Sequence, residues 1–353
     1  MDNTTIIKSK NNDLLDLVKL ILAFMVVAIH SGLLDPVLYP WLRLAVPLFF
    51  IISSYLFFVK VNGCENKEDK LIALKAFILR NLKLYAFWFI VQFPINIFIR
   101  GWFDSGFMNG IFTIIKFFFL GSTFIASWFI MALIIGTVIV FFASKKINNT
   151  VLFVVGAILF VLIAMRSSYV YLFLNIEGLK GFFIGVNSYE NAMNDPINSF
   201  PAGIFWIICG KIFADGGFKL KTKTSSIILG VSAALLLTEW LLLKHFTGYY
   251  NKDFYIMLAP CAIAIFSILI QLKPISLKYA REMRKMSVIM YASHGAVLSI
   301  IQKLLNETVG AHIPATLESV IKFVVVSGIC IGGSFLIFYL EKKKYTAWLK
   351  YSH

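Results

Sequence analysis

Side chains able to do chemistry are sparse in this sequence, and several fall inside apolar stretches at spacings that bring them together. In DLLDLVKLILAFMVVAIHSG (13–32), Lys19 and His30 are separated by ten residues. Eleven helical steps of about 100° return His30 to within roughly 20° of Lys19, three turns and about 16 Å further along. Asp16 lies one turn before Lys19 on nearly the same stripe. A single strip of an apolar helix thus presents an acid, a cation and an imidazole in ascending order. Ionisable groups are costly in hydrocarbon and turn towards protein or a wet cavity, so the stripe reads as one wall of a polar channel. An imidazole there serves as a general base, or as a nucleophile that briefly carries a group. The plainer alternative is a histidine bonded to a neighbouring helix. Arg43 opens the next apolar run, WLRLAVPLFFIISSYLFF (41–58), on the His30 side, with Pro47 one turn deeper.

Three further sets belong with these. Lys75, Arg80 and Lys83 stand where LKAFILRNLKLYAFW passes from a loop into an apolar span. Arg80 and Lys83 share a face, which suits a phosphate or diphosphate, although basic residues at such a boundary also serve anionic lipid. Ser287, Tyr291 and His294 follow i, i+4, i+7 spacing and form a second polar stripe. Glu239, deep in LLLTEWLLLKH, must be paired or protonated; it either holds a basic residue of the site or clamps two helices. His245, His312 and His353 read as ordinary boundary or surface histidines.

The elements that position these groups are membrane helices. The 353 residues are 59% hydrophobic and 14% charged, with mean hydropathy +0.82, which predicts an all-α polytopic membrane protein. About ten transmembrane helices are expected, near 14–34, 42–60, 77–99, 126–143, 150–166, 198–214, 225–245, 252–271, 285–306 and 317–340. The stretch 107–121, short and carrying Lys116, reads as a re-entrant or interfacial helix. With both termini cytoplasmic, 22 of the 33 Lys and Arg fall in cytoplasmic segments, as the positive-inside rule requires. That distribution accounts for the net charge of +15 without nucleic acid. The chain reads as a single domain, 1–353, with a polar tail (1–12), a long outer loop (167–197) that either caps a cavity or merely connects, and a basic tail (341–353). Cys64, Cys209, Cys261 and Cys330 are scattered, a spacing that supports neither a disulfide framework nor a zinc or other metal site.

The stretches DLLDLVKLILAFMVVAIH, RLAVPLFFIISSYLF, FILRNLKLY, SWFIMALIIG, LLLTEW and SVIMYASHGAVL together resemble the acyltransferase-3 family of integral membrane acyltransferases over essentially the whole chain. The chain is also similar to the membrane half of the serine racemases of vancomycin resistance, which belong to that family. Lys19 stands where many members have arginine, and Ser54 where a glycine usually follows Ser53. The resemblance implies transfer of an acyl group, usually acetyl, from cytoplasmic acyl-CoA to a hydroxyl of an envelope carbohydrate, a lipid-linked sugar or a secreted metabolite, at a bacterial cytoplasmic membrane. His30 then acts as base or acyl carrier, and Lys19 and Arg43 stabilise charge. Tyr291 and His294 complete the site or orient His30. Lys75, Arg80, Lys83 and Lys19 hold the phosphates of acetyl-CoA, and Asp16, Glu239 and Ser53 support. The alternative function is a transporter of a small polar substrate such as an amino acid, its path lined by the same stripes.

Overall fold

The structure is a computed structural model that describes residues 13–33, 39–99, 101–120, 123–173, 175–192, 195–247, 253–308 and 314–353. The polar tail 1–12, Arg100, Gly121, Lys252 and His312 lie outside the described residues. Among the described residues the chain is helical throughout, with no strand.

Fourteen α-helices follow one another: α1 Asp13–Ser31, α2 Tyr39–Leu42, α3 Ala45–Asn62, α4 Lys67–Phe98, α5 Phe107–Leu120, α6 Trp128–Ala143, α7 Asn149–Arg166, α8 Val170–Phe173, α9 Lys180–Ala192, α10 Phe200–Ala214, α11 Thr222–Thr247, α12 Leu258–Gln271, α13 Ala280–Thr308 and α14 Ala315–Leu340. Local chemistry sets several starts. Asn66 accepts the Asp69 N–H at 2.8 Å to cap α4, and Asn148 accepts the Val151 N–H at 2.9 Å to cap α7, each satisfying a donor the helix leaves free.

Six stretches are long and apolar enough to cross a bilayer: α1, the α2–α3 run Tyr39–Asn62, α7, α11, α13 and α14. Four helices are apolar but shorter: α5, α6, α10 and α12. This is a multi-pass membrane protein. The shortfall has a shape. At 1.5 Å per residue, α6, α10 and α12 reach only about 21–24 Å against a hydrocarbon core of about 30 Å. All three begin at the same cavity.

At the centre of the bundle α10 packs on α3, α6 and α7, and α1 packs on α13, α3 and α14. The α3–α10 contact depends on glycine. A Cβ on Gly210 would sit 2.6 Å from the Ile51 carbonyl oxygen and 2.9 Å from the Tyr55 nitrogen, and one on Gly203 would strike the Phe50 ring at 2.7 Å. Such close backbone approach is how helices gain contact in lipid, where burying apolar surface supplies little drive.

Two peripheral regions differ from, or refine, the sequence reading. Helix α5 lies on the outside, with only Gly110 buried. The span 167–197 is not a plain loop, for it holds α8, α9 and two short 3-10 turns. Phe182, Val186 and Tyr189, spaced i, i+4, i+7, close an apolar groove against Leu159, Leu162 and Ile163 of α7, and that periodicity is what makes the segment helical.

Candidate active site

His30 lies in the last turn of α1, among buried neighbours Val26, Val27, Ala28 and Ser31, yet the residue itself keeps accessible surface. It opens onto a cavity of about 80 Å³ whose polar wall is made by His30, Arg43, Asn198, Asp253 and Tyr291. The apolar wall includes Val26, Trp128, Trp206, Phe254 and Leu258. That space holds several solvent molecules or one small functional group.

Four structures converge on this space. Helix α6 begins at Trp128, α10 two residues beyond Asn198, and α12 at Leu258, so three helix N-termini adjoin the cavity that α1 walls. Aligned peptide dipoles favour negative charge at such ends, although their first N–H groups are largely taken, by Glu239 and the Tyr255 and Ile256 carbonyls at α12 and by the Ala126, Ser127 and Ser199 carbonyls at α6 and α10. Arg43 adds a full charge. Its guanidinium is paired with the Asp253 carboxylate and lies 4.3 Å over the Tyr39 ring, and its buried Nε has no partner among the described residues.

Asp253 is held from behind. Glu239 of α11 accepts hydrogen bonds from the Ile256 N–H at 2.6 Å, the Met257 N–H at 2.9 Å and the Tyr169 hydroxyl. The carboxylate therefore caps the start of α12 and clamps it to α11. The segment it fixes carries Asp253, and through Asp253 it aims Arg43.

The wall opposite is a turn, 123–127, fixed on two sides. Thr123 donates to the Tyr85 hydroxyl at 2.8 Å, and Asn96 donates to the Thr123 carbonyl at 2.7 Å, both from α4. From α13, Tyr291 donates its hydroxyl proton to the Ala126 carbonyl at 2.9 Å. Gly295, on the same helix, approaches so closely that a Cβ would meet Ile125 at 2.4 Å. Ala126 itself has φ of +65°, a conformation that costs a non-glycine residue energy and that surrounding contacts must impose.

Behind His30 stands His294, with ring centroids 5.1 Å apart. His294 is fully buried. Its Nδ1 lies 2.7 Å from the Tyr291 carbonyl, which only accepts, so Nδ1 carries the proton and Nε2 presents a lone pair. That Nε2 has no partner among the described residues. Ser287, on the same stripe, instead donates to the Arg284 carbonyl at 2.8 Å.

The other end of α1 forms a separate charged group. Asp16 lies 3.6 Å from Lys19 and 3.5 Å from Arg284 of α13, and Arg80 stands within electrostatic reach of both cations. Lys83 turns elsewhere, 5.5 Å over the Tyr351 ring, and Lys75 is exposed. The set predicted as Lys19, Lys75, Arg80 and Lys83 is thus gathered as Lys19, Arg80 and Arg284, with Asp16 between. Lys19 does not line the cavity at His30. Ser53 is half-buried, while its neighbour Ser54 bonds back to the Phe50 carbonyl at 2.7 Å, inside the α3–α10 contact.

Sequence reasoning missed Asp253, Arg284 and Asn198. Arg284 was visible only as one of a basic run, and Asp253 as a lone acid before an apolar stretch. Among the described residues no three His, Cys, Asp or Glu side chains gather as a metal cluster.

Comparison with known proteins gives two kinds of match. The family model described as Acyltransferase domain matches residues 12–339. Two curated proteins of Enterococcus faecalis, each named amino-acid racemase, are 24% identical to this chain, one over 88% of it and 44% of the relative, the other over 75% and 37%. The chain therefore spans less than half the length of these relatives. No solved structure matches significantly.

Proposed function

Since this chain belongs to the acyltransferase domain family, we propose that it is a membrane O-acyltransferase moving an acyl group, most simply acetyl, from cytoplasmic acyl-CoA to a hydroxyl of an envelope glycan or lipid-linked sugar. In this reading the ten helical stretches foreseen from sequence cross a bacterial cytoplasmic membrane and both termini face the cytoplasm. The observation that carries the proposal is the convergence of three short helices, N-termini first, on the small cavity that His30 and Arg43 line. Acyl transfer passes through a tetrahedral oxyanion, and fixed helix dipoles beside a guanidinium are suited to stabilise it.

Each residue then has a task. His30 takes the proton of the acceptor hydroxyl, or carries the acyl group in a two-step route; both need an imidazole with a free nitrogen at the cavity. His294, its tautomer set by the Tyr291 carbonyl, orients the His30 ring by packing against it, centroids 5.1 Å apart. Arg43 stabilises negative charge, aimed by Asp253. At the cytoplasmic end Lys19, Arg80 and Arg284 hold phosphate, and the roughly 16 Å from Lys19 to His30 along α1 is the distance that the donor's extended arm has to span.

A second reading, supply or transport of a small polar substrate such as an amino acid, is favoured by one observation: the relatives matched over much of this chain are named amino-acid racemases. Calorimetry with the purified protein separates the two. Micromolar binding of acetyl-CoA, weakened by Lys19→Ala and by Arg80→Ala, supports the transferase. Absence of acyl-CoA binding by folded protein, with uptake of a labelled amino acid into proteoliposomes, supports transport.

A further inference from the structure

Residues 341–353 follow α14 directly, and from sequence they are simply a basic tail. They fold as a 3-10 helix, Lys344–Ser352, nine residues long where such helices rarely exceed three or four. The length has a geometric result. With three residues per turn, Tyr345, Trp348 and Tyr351 are eclipsed on one ridge, and they are 90%, 52% and 40% exposed.

The opposite side is seated on the protein. Ser352 is fully buried and its carbonyl accepts the Trp88 indole N–H at 2.9 Å. Thr346 donates to the Leu340 carbonyl at 2.5 Å, and Leu349 packs against the core. The ridge is therefore held outward by a docked helix. Lys342, Lys343, Lys344 and Lys350 flank it, all exposed. The one acid of the segment, Glu341, is already paired with Lys285 at 2.6 Å. Just before the segment, Phe335, Leu336 and Tyr339 on α14 are 57–61% exposed, so the apolar face of a candidate membrane span runs straight into the aromatic ridge.

We infer that Lys344–Ser352 is a docked interfacial anchor for anionic lipid, its aromatic ridge set at the headgroup boundary and its lysines on lipid phosphates. Tyrosine and tryptophan favour that depth because one end of each ring is apolar and the other polar. A lysine cluster beside a membrane span is drawn to a negative surface. The continuity with α14 and the unbalanced positive charge select lipid over a protein partner. The anchor also touches α4: Tyr351 lies under Lys83 and Trp348 contacts Phe87 at 5.5 Å. Lipid bound here therefore steadies the α4 face that carries Arg80. The inference stands independently of the transferase reading.

The test is limited chymotrypsin digestion of the full protein in nanodiscs of phosphatidylcholine alone or with about 30% phosphatidylglycerol, a composition that makes the surface anionic. Cleavage after Tyr345 and Trp348 is compared with cleavage after Tyr279, which is 56% exposed in the turn before α13. Anionic lipid is expected to slow cleavage at the ridge by about tenfold relative to Tyr279. Changing the four flanking lysines to Gln should remove that difference, and so should high salt on the wild type, which keeps the test open if the variant fails to fold. Equal ridge-to-Tyr279 ratios in both lipids would overturn the inference. So would a difference that survives both lysine removal and salt, and so would a ridge protected equally in detergent, since that would mean protein covers it.

Discussion

Replacing Glu239 by Gln tests whether one carboxylate holds the wall that carries Asp253. Glu239 takes hydrogen bonds from the Tyr169 hydroxyl, the Ile256 N–H and the Met257 N–H, and an ionised carboxylate has lone pairs for all three. The two amides only donate. After Glu239→Gln an NH₂ group replaces one oxygen and confronts a backbone N–H, so one bond to a charged acceptor is lost, roughly 1.5–3 kcal/mol. Loss of negative charge at the first turn of α12 adds about 0.5 kcal/mol. The expected cost is therefore about 2–4 kcal/mol, read by thermal or SDS unfolding in detergent. Hydrogen exchange across 253–257 should quicken by about tenfold or more, since local opening there loses its clamp. Tyr169→Phe removes one donor to the same carboxylate and leaves both backbone bonds, so it should cost about 1.5–3 kcal/mol while exchange across 253–257 stays near that of the wild type. A Glu239→Gln protein within about 0.5 kcal/mol of wild type, with unchanged exchange at 253–257, would refute the clamp.

Asp253→Ala should leave Arg43 without its partner at the cavity and lower kcat/KM by about a hundredfold, the scale of losing one aimed electrostatic group; the lost pair would be confirmed if Arg43→Lys in that background costs little more. Gly210→Ala should destabilise by about 1–3 kcal/mol, because the new Cβ meets the Ile51 carbonyl at 2.6 Å and the Tyr55 nitrogen at 2.9 Å, backbone atoms that cannot turn aside; Ser54→Ala should rescue it only in part. Asp215→Asn should cost about 1 kcal/mol, since Asp215 is itself exposed although Lys211, 8% exposed, rests on it at 2.5 Å and on Asn149 at 2.7 Å. Burial works against the Asp215 charge, yet hydrogen bonds from Lys211, Asn149 and Asn62 overcome it and hold the carboxyl below its ordinary 3.8. The folded state thus gives up this proton more readily than the unfolded chain, so its contribution is whole above pH 3.8 and is lost as pH falls through the lower folded value. An acid titration of stability in wild type and Asp215→Asn should differ above that window and converge below it.

How much of this was legible in the sequence follows from what each feature depends on. The Lys19 and His30 stripe rests on the helical period, so spacing alone revealed it, as it did Tyr291 with His294. That His294 lies beside His30 depends on α13 packing against α1, and only the motif resemblance brought the two into one site. Asp253 and Arg284 escaped because their partners, Arg43 and Asp16, are more than two hundred residues away, and an ion pair between such residues has no local signature. The turn at Ala126 escaped because alanine gives no sign of a left-handed backbone; Tyr291 and Gly295 impose it from another helix. Helices α6 and α12 read as full spans because the segments before them (FIAS, FYIM) are themselves largely apolar, and α10 because only Asn198 and Ser199 separate its start from the expected one; hydropathy does not distinguish a helix from an irregular cavity wall. Lys83 was grouped with Arg80 by spacing, yet the docked segment at Tyr351 draws it away.

The central claim is that the His30 cavity performs acyl transfer. The most direct measurement is release of free CoA thiol from acetyl-CoA by wild type and His30→Ala protein in nanodiscs, with a membrane envelope extract supplied as acceptor and acetyl-CoA binding measured in parallel. Acyl transfer at His30 requires acceptor-dependent CoA release by the wild type, and its loss by about a thousandfold or more in His30→Ala, with acetyl-CoA still bound. Undiminished CoA release by a folded His30→Ala protein would contradict it, because the chemistry would then lie outside this cavity.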